Sequence, residues 1–311
     1  MRKSIIAIAA GTALATVAAP VAAQDSNSAR GVLGRLLEVI LGPDEQPQEA
    51  NDAADATDQI DVGVDEPQTL EQVLADPRRD NDRARDAYRH PQQTLDFFQV
   101  RPGHTVVDYM PASGWYTRIL VPYLTPNGLY IGLTPNPDAA DNERFADYFR
   151  GLPDDFRKNA PDWVLDGGSS VAIYGTQDLP EGIDGQVDRV LIFREMHNLL
   201  RSGAMYSELT RIRSLLKDDG MVGIVQHRAK ESAPADYTLG DKGYLRQSDV
   251  IGLMRAHGFE LVASSEINAN FRDTADHPNG VWELLPSLGT KREELRSIGE
   301  SDRMTLLFRK R

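Results

Sequence analysis

Two short stretches hold the side chains that could do chemistry. In Val106-Val107-Asp108-Tyr109-Met110-Pro111-Ala112-Ser113-Gly114-Trp115-Tyr116-Thr117 an apolar run meets an acid, turns sharply and starts an amphipathic helix. Open α/β sheets bind ligands beyond the carboxyl ends of their strands, where a tight turn brings backbone and a helix N-terminus close to the ligand. An acid followed by such a turn is how a nucleotide-type site begins. The second stretch, Arg194-Glu195-Met196-His197-Asn198, follows the apolar run 187–193 and brings four polar groups to the same edge. His197 could act as a base near neutral pH, Glu195 could orient it or bind a cation, and Asn198 could hold a carbonyl or an amine. The structural alternatives are an Arg194–Glu195 pair and a helix-capping His197. Asp273, Asp276 and His277 lie in a turn-rich loop without an established ligand spacing, so no metal is expected. His90 before Pro91 reads as turn punctuation or as part of a lid with Arg89, while His104 and His257 read as structural.

Positioning these groups requires strands that end at one edge. Apolar runs at 105–109, 129–133, 170–174, 187–193 and 221–226 alternate with helical stretches, which implies a parallel sheet. The runs at 260–267 and 304–309 are joined without a crossover helix and are expected to pair antiparallel. The globular part begins near Leu70, and a helical region over 80–98 restarts at Pro91. Met110 and Ala112 flank the turn after the first strand. Side chains there disfavour positive φ, so that turn is expected to run differently from one built on glycines.

The first stretch resembles motif I of the class I S-adenosylmethionine-dependent methyltransferases, a hydrophobic strand ending in Asp/Glu-x-Gly-x-Gly-x-Gly. Asp108 and Gly114 match its acid and last glycine, while Met110 and Ala112 stand at the first two glycines. The order of elements from about residue 70 to 311 is similar to that family, as are the helix at 248–257 with Gly258-Phe259 and the turn 217–220. Tyr88-Arg89-His90-Pro91, Gly114-Trp115-Tyr116-Thr117 and the 194–198 stretch together resemble exported bacterial proteins described as predicted methyltransferases. The resemblance implies an α/β Rossmann-like fold, a seven-stranded and mostly parallel sheet ending in an antiparallel hairpin. It implies S-adenosylmethionine as cofactor, held by Asp108, Ser113, Gly114, Thr134 at the ribose position, Asp178 near adenine and Arg194. His197, Glu195 and Asn198 are the implied catalytic group.

Composition narrows the partners. The chain carries 47 acids against 34 bases, a net charge of −13, with no basic stripe, so nucleic acid is not an expected partner. The absence of cysteine excludes disulfides and thiol catalysis. Residues 1–23 read as a signal peptide, with Arg2-Lys3, an apolar core and Val21-Ala22-Ala23 before the cut. A periplasmic or secreted protein with no transmembrane span after the signal is expected. Residues 29–41 form an amphipathic stretch suited to docking on protein or, weakly, on a membrane surface. From there to 67 the acidic sequence reads as a disordered tether, which leaves 68–311 as the methyltransferase-like domain. Two functions stay open: a methyltransferase acting on a small molecule, and a catalytically degenerate relative that binds a ligand or partner in the envelope. A nicotinamide oxidoreductase is disfavoured because Gly-x-Gly-x-x-Gly is missing after the first strand.

Overall fold

The computed structural model describes residues 68–311 apart from 164, 166 and 167. The expected leader, the stretch 29–41 and the tether lie outside the described residues. The apolar runs become strands β1 (Thr105–Tyr109), β2 (Leu129–Thr134), β3 (Ser170–Gly175), β4 (Val187–Phe193), β5 (Leu216–Ala229), β6 (Leu245–Arg246), β7 (Phe259–Ser265) and β8 (Arg303–Lys310). Their order is β3-β2-β1-β4-β5-β8-β7, with β6 beside β5. Strands β1 to β5 pair in parallel, and β8 runs antiparallel to both β5 and β7. This is the Rossmann-like topology implied by the resemblance, with two differences. Strand β6 is an eighth strand of two residues, too short to leave a periodic signal. The antiparallel pair is not a tight hairpin, because residues 266–302 intervene and fold back with Leu285 bridged to Glu300.

The central strands are covered on both faces, which is why their sequences read as continuous apolar runs rather than as alternation. Val106, Val107, Tyr130, Ile131, Val190, Leu191 and Ile192 are all fully buried. The covering helices are α1 (Leu70–Ala75), α2 (Asp86–Arg89), α3 (Pro91–Phe97), α4 (Thr117–Tyr123), α5 (Glu143–Asn159), α6 (Met196–Arg201), α7 (Met205–Leu215) and α8 (Gln247–Ala256). Thr69 and Gln72 form a capping box that starts α1. Asn142 caps α5 by accepting from the Phe145 amide at 3.1 Å. Ala146, Phe149 and Phe156 then fall on one face of α5 and are buried. Close packing leaves no room for a side chain at Gly223, where a Cβ would come within 2.6 Å of the Phe98 ring. Among the described residues no helix is long and apolar enough to cross a membrane.

Candidate ligand site at the carboxyl edge

Register fixes the site. Asp108 lies beside Gly132 of β2 and Leu191 of β4, so the ends of β1, β2 and β4 share one edge. The turn that follows Asp108 corrects the expectation that side chains would force it onto another path. Met110, Ala112 and Gly114 all take left-handed backbone conformations, with φ of 55°, 50° and 72°. An L-residue in that region costs about 1–2 kcal/mol. The turn is nevertheless held, because the Met110 amide donates to the Leu133 carbonyl at 2.8 Å and the Gly114 amide to the Pro111 carbonyl at 3.0 Å. Only position 114 excludes a side chain by space as well as by φ, since a Cβ would lie 2.7 Å from the Trp163 indole. Tertiary contacts override local preference at 110 and 112, which is a recurring mark of functional turns.

Asp108 is buried and accepts from the Tyr130 hydroxyl at 3.0 Å. Burial pushes its carboxyl up to about 7, against the opposing effects of the Tyr130 hydrogen bond and the Arg194 charge. Across the edge, Arg194 closes β4 with φ 66°, and the turn delivers Glu195 to the start of α6. Glu195 accepts from Asn198 Nδ2 at 2.6 Å, and loss of solvation raises its carboxyl to about 7 as well, against the opposing effects of that hydrogen bond and of the Arg194 and Arg201 charges. Asp108, Met110, Ser113, Arg194, Glu195 and Arg89 of α2 enclose a small cavity of about 40 Å³. Its floor is aromatic: Tyr116 stacks on Phe193 with ring centroids 3.5 Å apart, and the Arg89 guanidinium lies 4.6 Å from the Trp115 ring centroid.

Two larger cavities continue along the same edge. One of about 390 Å³ shares the 110–113 turn with the first and adds Thr134 and Tyr148, Asp155 and Asn159 of α5. The next, of about 340 Å³, shares Thr134 and reaches Gln177 and Asp178 beyond β3. Thr134 is buried and donates to the Tyr174 carbonyl at 3.2 Å, which leaves its oxygen lone pairs free to accept. Asp178 is exposed, in a turn after β3, and accepts from Gln177 Nε2 at 2.7 Å. The three cavities thus run from the end of β4, past β1 and β2, to β3.

No protein-family model matches the chain, and no curated protein sequence matches it. Several solved structures are similar. An S-adenosylmethionine-dependent methyltransferase from Aquifex aeolicus aligns over 65% of this chain and 94% of its own, at 15% identity and a TM-score of 0.44. A geranyl diphosphate methyltransferase in complex with S-adenosylmethionine aligns over 80% of this chain and 94% of its own, at 12% identity and a TM-score of 0.46. The geranyl diphosphate C-methyltransferase of Streptomyces coelicolor A3(2), solved with Mg2+, geranyl diphosphate and S-adenosyl-L-homocysteine, aligns over 80% and 87%, at 11% identity and a TM-score of 0.47.

The expected catalytic group divides. Glu195 lines the small cavity and Asn198 holds its carboxylate, but His197 does not join them. Its buried ring faces Gln226, whose Nε2 is 3.5 Å from Nδ1, and lies near His227 and Trp282 with centroids 5.9 and 6.0 Å away. Burial, with Arg201 nearby, lowers its pKa to about 4. The helical turn of α6 explains the separation, because residues two apart on a helix point about 200° apart. Asp273 and His277 are bonded to each other at 3.0 Å, and Asp273 also accepts from Tyr244 and the Asp302 amide. Among the described residues no group of acids and histidines forms a metal cluster.

Two residues of the site were not found by sequence reasoning. Tyr130 reads as a core aromatic of β2. Glu208 reads as an exposed acid on α7, yet it is buried and accepts from the Tyr109 hydroxyl, the Asn136 amide and the Thr176 hydroxyl at 2.9, 3.1 and 2.9 Å. It ties together the ends of β1, β2 and β3. Its only signal is an acid at a position that the α7 period assigns to the core, one turn after Met205 and one turn before Ile212.

Proposed function

We propose that the protein is a methyltransferase that uses S-adenosylmethionine to methylate a small molecule. The observation that carries the reading is the row of three cavities along the ends of β4, β1, β2 and β3, neighbours in the row sharing lining residues, which begins at a buried acid and a left-handed turn. An elongated ligand with a cationic amino end, a ribose and a base fits this run. Asp108 accepts from the amino group, and the Ser113–Gly114 turn meets the carboxylate. Thr134 stands at the ribose and Asp178 beside the base.

Methyl transfer from a sulfonium is a direct displacement, so alignment and exclusion of water supply most of the rate. A base is needed only when the acceptor atom carries a proton it must lose. Glu195, in the cavity and with a carboxyl near 7, is placed and poised for that role, while Asn198 fixes its orientation. Strain retained at Met110 and Ala112 favours a working turn over a degenerate one. Calorimetric titration of the purified protein with S-adenosylmethionine and S-adenosylhomocysteine tests the reading, and an absence of binding by both defeats it. The proposal includes export, with cleavage after Ala23. Intact-mass measurement of envelope fractions checks it, and a cytosolic product that retains Met1 refutes it.

A further inference from the structure

Arg89 and Arg194 both line the small cavity, and neither has a carboxylate to itself: Arg89 shares Glu300 with two other arginines, and Arg194 forms no ion pair among the described residues. Arg89 is 3% exposed, and its Nη1 has no hydrogen-bond partner. A buried guanidinium N–H left unpaired is costly and calls for an acceptor. Glu300 is not that acceptor. It receives Arg89 Nε at 3.3 Å, but also Arg85 Nε at 2.6 Å and Arg303 at 3.1 Å, so three cations share one carboxylate. Although burial alone would raise the Glu300 carboxyl, the Arg303, Arg89 and Arg85 charges hold it at about 2. Among the described residues the Arg194 side chain makes no ion pair or hydrogen bond, although its backbone is fixed through a 2.6 Å bond from its amide to the Val225 carbonyl. Asp108 and Glu195 line the same cavity and feel the Arg194 charge, but their hydrogen bonds go to Tyr130 and Asn198, and neither is hydrogen-bonded to Arg89 or Arg194.

We propose that Arg89 and Arg194 form an oxyanion subsite for the methyl acceptor, which is therefore a carboxylated or phosphorylated small molecule. The inference rests on the methyltransferase reading for the word acceptor, and on the cavity alone for the anion. The cavity is small, about 40 Å³, and both arginines line it, so the acceptor presents its anionic group here and not its body. The planar guanidinium fork suits either group. Arg89 is held from two sides, by the Trp115 ring 4.6 Å from its guanidinium carbon and by Glu300 at Nε, which leaves the buried Nη1 without a partner. The 110–113 turn lines this cavity and its neighbour, so an anion held here would lie beside the residues proposed to hold the amino-acid end of the cofactor.

The test titrates the full-length protein, free and saturated with S-adenosylhomocysteine, with acetate in one arm and inorganic phosphate in another, followed by calorimetry. The subsite predicts that one of the two anions binds both forms, and which one distinguishes a carboxylate from a phosphate acceptor. Arg89→Gln and Arg194→Asn each weaken that anion by about tenfold or more, while Arg89→Gln changes S-adenosylhomocysteine affinity by less than about threefold. Asparagine is chosen at 194 because it tolerates φ 66°. If Arg89→Gln does not fold, Arg194→Asn alone decides. Binding of neither anion overturns the inference. So does anion binding that S-adenosylhomocysteine abolishes, since the guanidiniums then hold the carboxylate of the cofactor. If the wild-type protein ignores S-adenosylhomocysteine, the methyltransferase reading fails by itself. The anion titration of the free protein then still decides the subsite, upheld by binding that both substitutions weaken and rejected otherwise.

Discussion

Tyr130 on β2 donates its hydroxyl to Asp108 Oδ2 on β1 at 3.0 Å, and Thr117 at the start of α4 lies 2.8 Å from the same hydroxyl. The chain Thr117–Tyr130–Asp108 joins the helix after the turn to the strand before it. It aims a buried carboxylate at the edge without neutralising it. Asp108→Ala should lower S-adenosylhomocysteine affinity by about 10- to 100-fold, the range for loss of a charge-assisted bond. Tyr130→Phe removes a bond that favours the ionised acid, so it should weaken binding by a few-fold while leaving the ligand contact itself in place. Calorimetry on both variants checks the order. Equal losses would mean that Tyr130 meets the ligand directly.

Burial at Asp108 and Glu195 makes stability depend on pH in a defined sense. Their folded pKa values, about 7, lie above the ordinary 3.8 and 4.5. The protonated forms therefore favour the folded state, fully below pH 4, and this contribution is lost as pH rises through about 7. His197 works the other way. Its pKa of about 4 lies below 6.5, so its contribution is present above pH 6.5 and lost as pH falls through about 4. Asp108→Asn should flatten the fall between pH 4 and 7 and raise stability at pH 8, by up to roughly 4 kcal/mol if the whole shift counts. Denaturant unfolding at several pH values measures it, and an unchanged profile would show that Asp108 ionises as freely folded as unfolded.

Three positions in the turn should respond differently to substitution. At Ala112, which is exposed, glycine relieves about 1–2 kcal/mol of left-handed strain and loses about 0.4–1 kcal/mol through the freer unfolded chain. Ala112→Gly is thus neutral or stabilising by up to about 1.6 kcal/mol. Met110→Gly destabilises, because burying a methionine side chain is worth roughly 1.5–3 kcal/mol and outweighs the same relief. Gly114→Ala combines a positive φ with the Trp163 contact and should cost more than about 2 kcal/mol. Thermal melts of the three variants rank them.

This turn also marks how far the sequence could be read. The strands were legible because buried parallel strands leave continuous apolar runs, and Asp108 was legible because an acid at the end of such a run has few structural uses. The left-handed path at Met110 and Ala112 was not, because it is dictated by the Leu133 and Pro111 carbonyls and not by the residues themselves. Glu208 was hidden for the same reason, since its partners Tyr109, Asn136 and Thr176 belong to three separated segments. The placement of His197 away from Glu195 depends on the rotation of α6, which spacing alone leaves open until the helix start is known.

Glu195 and His197 can be separated as candidates for the base. Glu195 lies in the cavity, whereas His197 sits beneath Trp282 with its pKa drawn down to about 4 by burial, too low to accept a proton efficiently at neutral pH. Transfer of a labelled methyl group from S-adenosylmethionine into an extract of small carboxylated and phosphorylated metabolites provides the readout. If the acceptor atom carries a proton, Glu195→Gln should lower turnover by about 10²-fold or more with little change in cofactor affinity, because a base acts only in the transition state. His197→Ala should leave turnover within a few-fold of wild type and instead lower the melting temperature, since it removes a buried ring packed against His227 and Trp282. The opposite pattern, a folded His197→Ala without turnover beside an active Glu195→Gln, would return the base to His197. It would also require α6 to rotate when the cofactor binds.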